Sequence, residues 1–555
     1  MAEEPRPEPP PSTSAGDAPA PAPDPAAPAS APPAPPAPQP AVDPAAARWG
    51  IAEGALVVFG ALLVAWLGLK TEVFTIDSYY YLSKAKSLAQ GHWLTIPWGD
   101  GLDRKFFWGY SLVLAIPMKL FGESAFWLVS AVLYGWTGLV LSRIFRMLPM
   151  EPPTRFGAMA LAVLNPVALW WSSVPMSEGL LVSLAATSVY FGARFRQGAA
   201  GREALWAALF GGLAFLTRVE GAFVALVLVA LCGPRLWREK RWALFALCIV
   251  IFGVPEALHV TYLRAIAVES KGLIAYLDEA RAHLAEFNFL DGMWRHTRAP
   301  FWMIFRFDTE SWLYARFFPS WLTVLQGVVT VLYLGGVVAA LVQGIFPKRS
   351  YSFPVALGLL AFALIHSVWY YAYERYDYLM YPAAALVFAA GVDSAARWAK
   401  PKVYLGIVLG VTLSCALVSG VYGVQVSRMH AERLKLHQGN RDFRAIAKAV
   451  NDANPDKRPV ITDLGPWVAF YLNGRSYFNR HEQDFYDDAV PTGDDGRIFL
   501  AKKRVAAIVS SRPVRDLVRE FNLVEGEYHL LPQPAKSGSA TTLLVLDLPV
   551  GSAVE

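Results

Sequence analysis

Four clusters of ionisable residues stand at the ends of apolar stretches, where acid–base or phosphate chemistry at a membrane surface could be carried out. The first is Thr75-Ile76-Asp77-Ser78-Tyr79-Tyr80-Tyr81, just past a first apolar block. Tyr81, Ala85 and Leu88 follow at helical spacing, so Asp77 is expected at the N-cap or first turn of a helix lying along the membrane. In the second, Arg104 and Lys105 sit where a loop re-enters an apolar block. Such cations either anchor in lipid headgroups or clamp a lipid-linked phosphate. In the third, Ser177 suits a helix cap, and Glu178 would occupy the first turn, where the helix dipole favours an acid. A carboxylate at membrane depth is costly, however, and marks a candidate site. In the fourth, Arg218 and Glu220 join two apolar blocks with almost no loop. They can pair with each other or with lipid. The run Tyr373-Glu374-Arg375-Tyr376 is a similar short turn and adds Arg375 as a candidate.

The elements that must hold these clusters are membrane helices. The chain has 555 residues, 55% hydrophobic and 17% charged, against about 25% charged in ordinary soluble domains. Apolar blocks fall at 51–69, 107–121, 124–142, 155–171, 178–193, 204–217, 219–232, 242–262, 321–345, 353–371, 379–397 and 403–425. A crossing needs about 20 residues. Five connectors are basic, at 143–155, 194–202, 235–241, 348–349 and 397–402, and the bias of Lys and Arg toward the cytoplasm places them inside. All four clusters, the long segment 263–320 and everything after about 426 then fall outside. Twelve crossings would put both chain ends on one side, so one block must fail to span. The best candidate is 107–121, short and interrupted by Pro117 and Lys119, as a re-entrant or interfacial helix.

Residues 1–47 are dominated by Pro and Ala. They have too few large apolar side chains to offset their ordering entropy and are expected to be a disordered cytoplasmic tail. The transmembrane portion is expected over 48–430. The segment 440–555 changes character. It offers an amphipathic helix at 442–450, short strands at 459–462, 505–510 and 542–548, and a helix at 513–521, together a small soluble α/β domain without a Gly-rich phosphate loop. The fold class is therefore a polytopic α-helical membrane protein of about 11–13 transmembrane helices, with a small C-terminal soluble α/β domain.

Other chemistries find little support. A net charge of +5, without an aromatic-plus-basic stripe, makes no case for nucleic acid. Cys232, Cys248 and Cys415 all lie in apolar blocks and are expected as buried small hydrophobes. No His or Cys cluster has metal-ligand spacing, and His92, His259, His283 and His296 are scattered, expected as structural or surface residues.

Taken in order, the clusters resemble the GT-C superfamily of membrane glycosyltransferases, which includes protein O-mannosyltransferases and the bacterial aminoarabinose transferase. The resemblance covers about residues 50–400. It rests on Ile76-Asp77-Ser78-Tyr79-Tyr80-Tyr81, the run from Arg104-Lys105 to Leu120-Phe121-Gly122, Ser177-Glu178, the stretch Gly212-Leu213-Ala214-Phe215-Leu216-Thr217-Arg218-Val219-Glu220-Gly221, and Glu374-Arg375-Tyr376 before Pro382. Many relatives pair two acids in the first loop, whereas here Ser78 follows Asp77; the Lys-Pro-Pro entry of the aminoarabinose transferase is also missing. The resemblance implies transfer of a sugar from a polyprenyl-phosphate donor to a hydroxyl on a lipid, glycan or protein, with inversion, at the extracytoplasmic face of a bacterial inner membrane. It implies Asp77 as general base, and Arg104, Lys105, Arg218 and Arg375 as cations for the donor phosphate. Tyr80, Tyr81 and Glu220 would shape the substrate site. Three roles stay open for Glu178: orienting the acceptor, assisting the base or helping to hold a divalent ion. The resemblance names no certain cofactor and leaves a divalent metal open. The rival class is a transporter or lipid flippase, but no internal repeat is visible, and the polar clusters fall at helix ends rather than at midspan.

Overall fold

The computed structural model describes residues 44–71, 75–92, 109–265, 289–302, 311–345, 352–367, 374–397, 399–437, 441–478, 490–533 and 541–548. The expected tail of 1–47 lies outside them up to residue 43. Residues 45–555 form one compact unit.

The first long helix is α1 (Pro44–Thr71). Then comes α2 (Ile76–Ala89), whose start is set by Thr75: its hydroxyl accepts from the Ser78 amide at 3.2 Å. Thr75 is thus the cap and Asp77 lies in the first turn. α3 (Gly109–Phe121) has 13 residues, contains Pro117 and stops at Gly122, whose φ of 84° only glycine adopts without strain. At about 1.5 Å per residue it is too short to cross a bilayer, as its composition suggested. α4 (Phe126–Arg146) follows.

The apolar block 155–171 is one run in sequence but two helices in space. α5 (Pro152–Val163) and α6 (Pro166–Ser173) meet at 43°. Pro166 removes an amide from the ladder, and Asn165 starts the new helix by accepting from Val167 N at 3.0 Å and Ala168 N at 3.2 Å. α7 (Glu178–Arg196), α8 (Gly201–Thr217), α9 (Ala222–Arg238) and α10 (Trp242–Ala265) complete the first half. α7 packs on α4, α8 and α9, and α10 packs on α8. The second half has the short α11 (Phe289–Arg298) and α12 (Ser311–Phe317), then α13 (Ser320–Ile345), α14 (Ser352–His366), α15 (Tyr381–Ala396) and the 37-residue α16 (Pro401–His437).

Among the described residues six helices are long and apolar enough to cross a membrane, or seven if the bent α5–α6 pair is one span. Their outward side chains include Leu62, Ile249 and Val331, a surface that suits lipid rather than water. The chain is a multi-pass membrane protein. Its two ends differ in charge. At one end Glu53, fully buried, accepts from Ser142 Oγ (2.6 Å), Arg146 Nε (3.0 Å) and Nη2 (2.8 Å), and Arg155 Nε (2.6 Å), tying α1 to α4 and α5. The ion pairs Arg194–Glu203, Arg235–Glu239 and Arg397–Asp393 lie at that same end. Cys232 and Cys415 are buried and Cys248 half-buried, all three as free thiols.

After α16 the chain builds a five-stranded sheet in the order β2-β1-β3-β5-β4, from β1 (Val460–Thr462), β2 (Ser476–Phe478), β3 (Ala507–Ser510), β4 (Tyr528–Leu530) and β5 (Thr542–Leu546). β1 runs parallel to β2 and β3, while β5 is antiparallel to β3 and β4. Alternate residues face opposite sides. Val460, Ala507, Val509, Leu543 and Val545 pack with α17 (Phe443–Ala453), whereas Ile461, Ile508, Leu544 and Leu546 pack with Leu500 of α19 (Gly493–Lys502) and Leu517 of α20 (Val514–Glu520). The expected strands and the expected helices at 442–450 and 513–521 match these elements. β2, β4 and α19 go beyond the expectation. The two strands have three residues each, too few to show a period, and α19 carries two glycines and two acids in its first turn.

This α/β region is joined to α2 through α18 (Pro466–Ala469) and the two residues after it. Tyr79 meets Phe470 (ring centroids 5.7 Å apart) and Tyr471 (6.4 Å) edge-on. Lys86 Nζ donates to the Phe470 carbonyl at 2.9 Å and pairs with Glu123 at 2.7 Å.

Glu53→Gln should lose about 3–5 kcal/mol of stability, because it strips two arginines of their buried partner. The drop in thermal midpoint of the detergent-purified protein measures it, and an unchanged midpoint would refute the locking role of this carboxylate.

Candidate active site at the starts of α2 and α7

Asp77, Glu178, Arg218 and Glu220 come from three separate segments, and the fold brings those segments to the end of the bundle opposite Glu53. The joint begins with the cap of α2: Thr75 Oγ1 donates to Met176 Sδ at 3.4 Å. Six residues further along α2, the Tyr81 hydroxyl meets Ser177 Oγ at 2.9 Å. Ser111 of α3 donates to the Tyr81 carbonyl at 3.1 Å, and the Tyr110 ring stands edge-on to Tyr81 at 5.4 Å. These contacts fix the roll of α2 about its axis.

Ser177 does not cap α7, against the reading of its sequence position: its side chain makes no capping bond. Its hydroxyl is engaged by Tyr81 and lies 3.4 Å from Arg218 Nη1. Glu178 opens α7 and is 1% exposed. Arg218 Nη1 donates to its Oε1 at 2.8 Å, and Arg218 Nη2 and Nε donate to Glu220 Oε1 and Oε2 at 2.7 and 3.1 Å. A fork of this kind carries direction as well as charge. It is possible because the backbone turns extended at Arg218 (φ −159°) after α8, then makes one tight turn over Val219–Gly221. Gly221 is required there: a Cβ would stand 2.3 Å from the Ala214 carbonyl carbon.

Two carboxylates thus share one guanidinium, and Glu178 Oε2 is buried with no hydrogen-bond partner among the described residues. A buried acceptor left open costs about 1–3 kcal/mol, so this oxygen is suited to a ligand's hydroxyl or amine. Asp77, half-buried, lies on the same helix face as Tyr81, one turn before it. Burial raises the Tyr81 hydroxyl above the ordinary phenol range; Arg218 pulls it down, while Glu178 and Asp77 push it further up. Tyr81 therefore stays protonated and neutral. Tyr80 is buried beside it.

The remaining expected residues stand differently. Arg104 and Lys105 lie outside the described residues. Arg375 falls in a 3-10 turn, Glu374–Met380, and its side chain is likewise outside them. No group of three or more His, Cys, Asp or Glu able to hold a metal occurs among the described residues.

One pair escaped the sequence reading. Of the two places expected for it, structural or surface, His296 takes the buried one, and its Nδ1 lies 3.0 and 2.9 Å from the two carboxylate oxygens of Asp377, which is also buried. Asp377 lies in the middle of the 3-10 turn Glu374–Met380 that precedes α15, and an acid just ahead of a membrane helix was the available signal.

This architecture has the GT-C fold. Two structures of ArnT from Cupriavidus metallidurans resemble it across 90% of this chain and 98% of theirs, at 15% identity: the apo state with a TM-score of 0.57 and the form bound to undecaprenyl phosphate with 0.56. The oligosaccharyltransferase AglB from Archaeoglobus fulgidus, solved with an inhibitory peptide and a dolichol-phosphate, covers 82% of this chain and 69% of its own length, at 13% identity and a TM-score of 0.51. Within the fold, residues 106–259 match the family described as dolichyl-phosphate-mannose-protein mannosyltransferase. No curated protein sequence matches the chain.

Arg218→Met should cost about 3–5 kcal/mol, since it leaves two buried acids unpaired, and adding Glu178→Gln with Glu220→Gln should recover much of that loss. Tyr81→Phe removes one neutral hydrogen bond and should cost about 0.5–1.5 kcal/mol. Thermal unfolding of the three proteins ranks them; equal midpoints for Arg218→Met and Tyr81→Phe would contradict the charge assignment.

Proposed function

We propose that this protein transfers a sugar from a polyprenyl-phosphate donor to a hydroxyl acceptor on a lipid, glycan or protein, with inversion at the sugar carbon. The observation that carries this reading is the meeting of Asp77's helix, Ser177-Glu178 and Arg218-Glu220 at one buried point at helix ends, within a GT-C fold. The undecaprenyl phosphate of ArnT and the dolichol-phosphate of AglB support a lipid-phosphate donor here.

Each step has a residue suited to it. The acceptor hydroxyl is a poor nucleophile, and Asp77 takes its proton as the new bond forms. The acceptor oxygen bonds to the anomeric carbon from one face while the bond from that carbon to the phosphate oxygen breaks on the other. The electron pair leaves on the lipid phosphate. Cations held in place for the growing negative charge lower the barrier; Arg104, Lys105 and Arg375 are assigned this role. Arg218 is committed to two carboxylates, so its part is chiefly to hold Glu178, whose open Oε2 receives a substrate hydroxyl. Tyr80, Tyr81 and Glu220 keep these groups in register.

The basic residues at the Glu53 end support a cytoplasmic assignment for that end. The site then opens on the extracytoplasmic face, at the inner membrane of a bacterial cell, and the α/β region joined to α2 is positioned to meet the acceptor. The chain divides by function into a transmembrane catalytic portion over 48–430 and an extracytoplasmic α/β domain over 440–555.

Purified protein should move labelled sugar from undecaprenyl-phosphate mannose, or another sugar of that series, to an acceptor. Asp77→Asn should lower kcat by about 10²- to 10⁴-fold with little change in donor affinity. Full activity in Asp77→Asn would end the general-base assignment, and movement of lipid across vesicles without a glycosidic bond would favour a transporter instead. A cysteine placed at Asn473 should react with a membrane-impermeant maleimide in whole cells. Protection until the cells are opened would reverse the sidedness.

A further inference from the structure

Beyond the acid–guanidinium cluster the buried polar groups continue. His366, at the end of α14, lies within electrostatic reach of Glu220 on one side and of Asp377 and His296 on the other. Its ring is 5.6 Å from Phe223 of α9 and 5.7 Å from the His296 ring. Hydrogen bonds link Tyr81, Ser177, Arg218 and Glu220, and His366 and His296 form a second buried pair. Structural histidines normally satisfy both ring nitrogens. His296 does not: Nδ1 faces the Asp377 carboxylate, while Nε2 is buried and has no hydrogen-bond partner among the described residues.

The chemistry of that nitrogen follows from its partner. Both Asp377 oxygens face Nδ1, and an ionised carboxylate only accepts. Nδ1 therefore carries a ring proton, and Nε2 is the nitrogen left to meet a ligand. A buried ring nitrogen without a partner is a standing cost. A ligand hydroxyl, which can both donate and accept, removes that cost. Two buried polar atoms are thus left open among the described residues, Glu178 Oε2 and His296 Nε2.

We infer that His296 recognises a hydroxyl of the donor's sugar through Nε2, with Asp377 as the positioning residue that holds its tautomer. This rests on the glycosyltransferase reading and deepens it: the sugar lies between the Asp77–Glu178 side that handles the acceptor and the His296 side that grips the transferred ring. The donor is favoured over the acceptor because His296 and Asp377 belong to α11 and to the turn before α15, within the membrane portion and remote in contact from the α/β region.

The test is binding without acceptor, so that no catalysis is needed. Detergent-purified protein is titrated with undecaprenyl phosphate, with a panel of undecaprenyl-phosphate hexoses and pentoses, and with single-deoxy forms of the tightest binder. Wild type should prefer one sugar-bearing lipid over bare undecaprenyl phosphate. His296→Phe should lose about tenfold of that preference, the weight of one hydrogen bond to a buried group, while its affinity for bare lipid phosphate stays unchanged. One deoxy form should bind wild type and His296→Phe alike. His296→Gln, whose amide oxygen can take the place of Nε2, should recover part of the preference. Asp377→Asn keeps the shape of the side chain but can give an N–H to Nδ1, which moves the ring proton to Nε2 and reverses the bond to the sugar; it should shift the preference among the sugar and deoxy forms, and it carries the test where the phenylalanine variant does not fold. The inference is overturned if the variants bind every lipid as wild type does, if bare and sugar-bearing lipids weaken together, or if wild type shows no preference for any sugar. Wild-type protein that binds no polyprenyl phosphate and transfers nothing defeats the donor reading itself. Transfer by wild type with indifferent His296 variants defeats this inference alone.

Discussion

A guanidinium shut between two carboxylates is the constraint on which the rest of the site turns. Arg218 gives its Nη1 to Glu178 and its Nε and Nη2 to Glu220, and none of the three side chains can be removed without leaving charge stranded away from water. Buried ion clusters of this kind seldom add net stability against an apolar replacement. Their value lies in direction: the cluster ties the start of α7 to the turn between α8 and α9, and through Ser177 and Tyr81 it sets the rotation of α2. Asp77 inherits its position from that arrangement.

The second constraint acts on α2 from above. The helix has 14 residues and lies outside the spanning bundle, so its own hydrogen bonds cannot hold it in place. It is gripped on one side by Ser177, Ser111 and Tyr110 and on another by Phe470, Tyr471 and the Lys86 bond. The α/β region therefore does more than sit beside the membrane portion: it supplies one wall of the seat in which the acid-bearing helix rests.

Much of this was legible in the sequence, and the limits have physical causes. Helix positions followed from apolar runs, and Glu178, Arg218 and Glu220, which the fold brings together, were visible because charge at the end of such a run is expensive. The break at Asn165-Pro166 was hidden because the run 155–171 stays apolar through it. Ser177 looked like a cap because position is local information, whereas its real partner is 96 residues away. His296 and Asp377 are separated by 81 residues, and neither spacing nor composition links them. Short strands such as β2 and β4 exist because neighbours pair with them, and three residues carry no pattern of their own.

The bond from Lys86 to Phe470 also has a meaning for biosynthesis. Its two ends are 384 residues apart in sequence, so at about 5–20 residues per second a ribosome needs roughly 20–80 s to deliver the second after the first. The nascent chain inserts its helices with this acid-bearing segment still lacking its outer support. The outer wall of the α2 seat is thus completed only in the last fifth of translation.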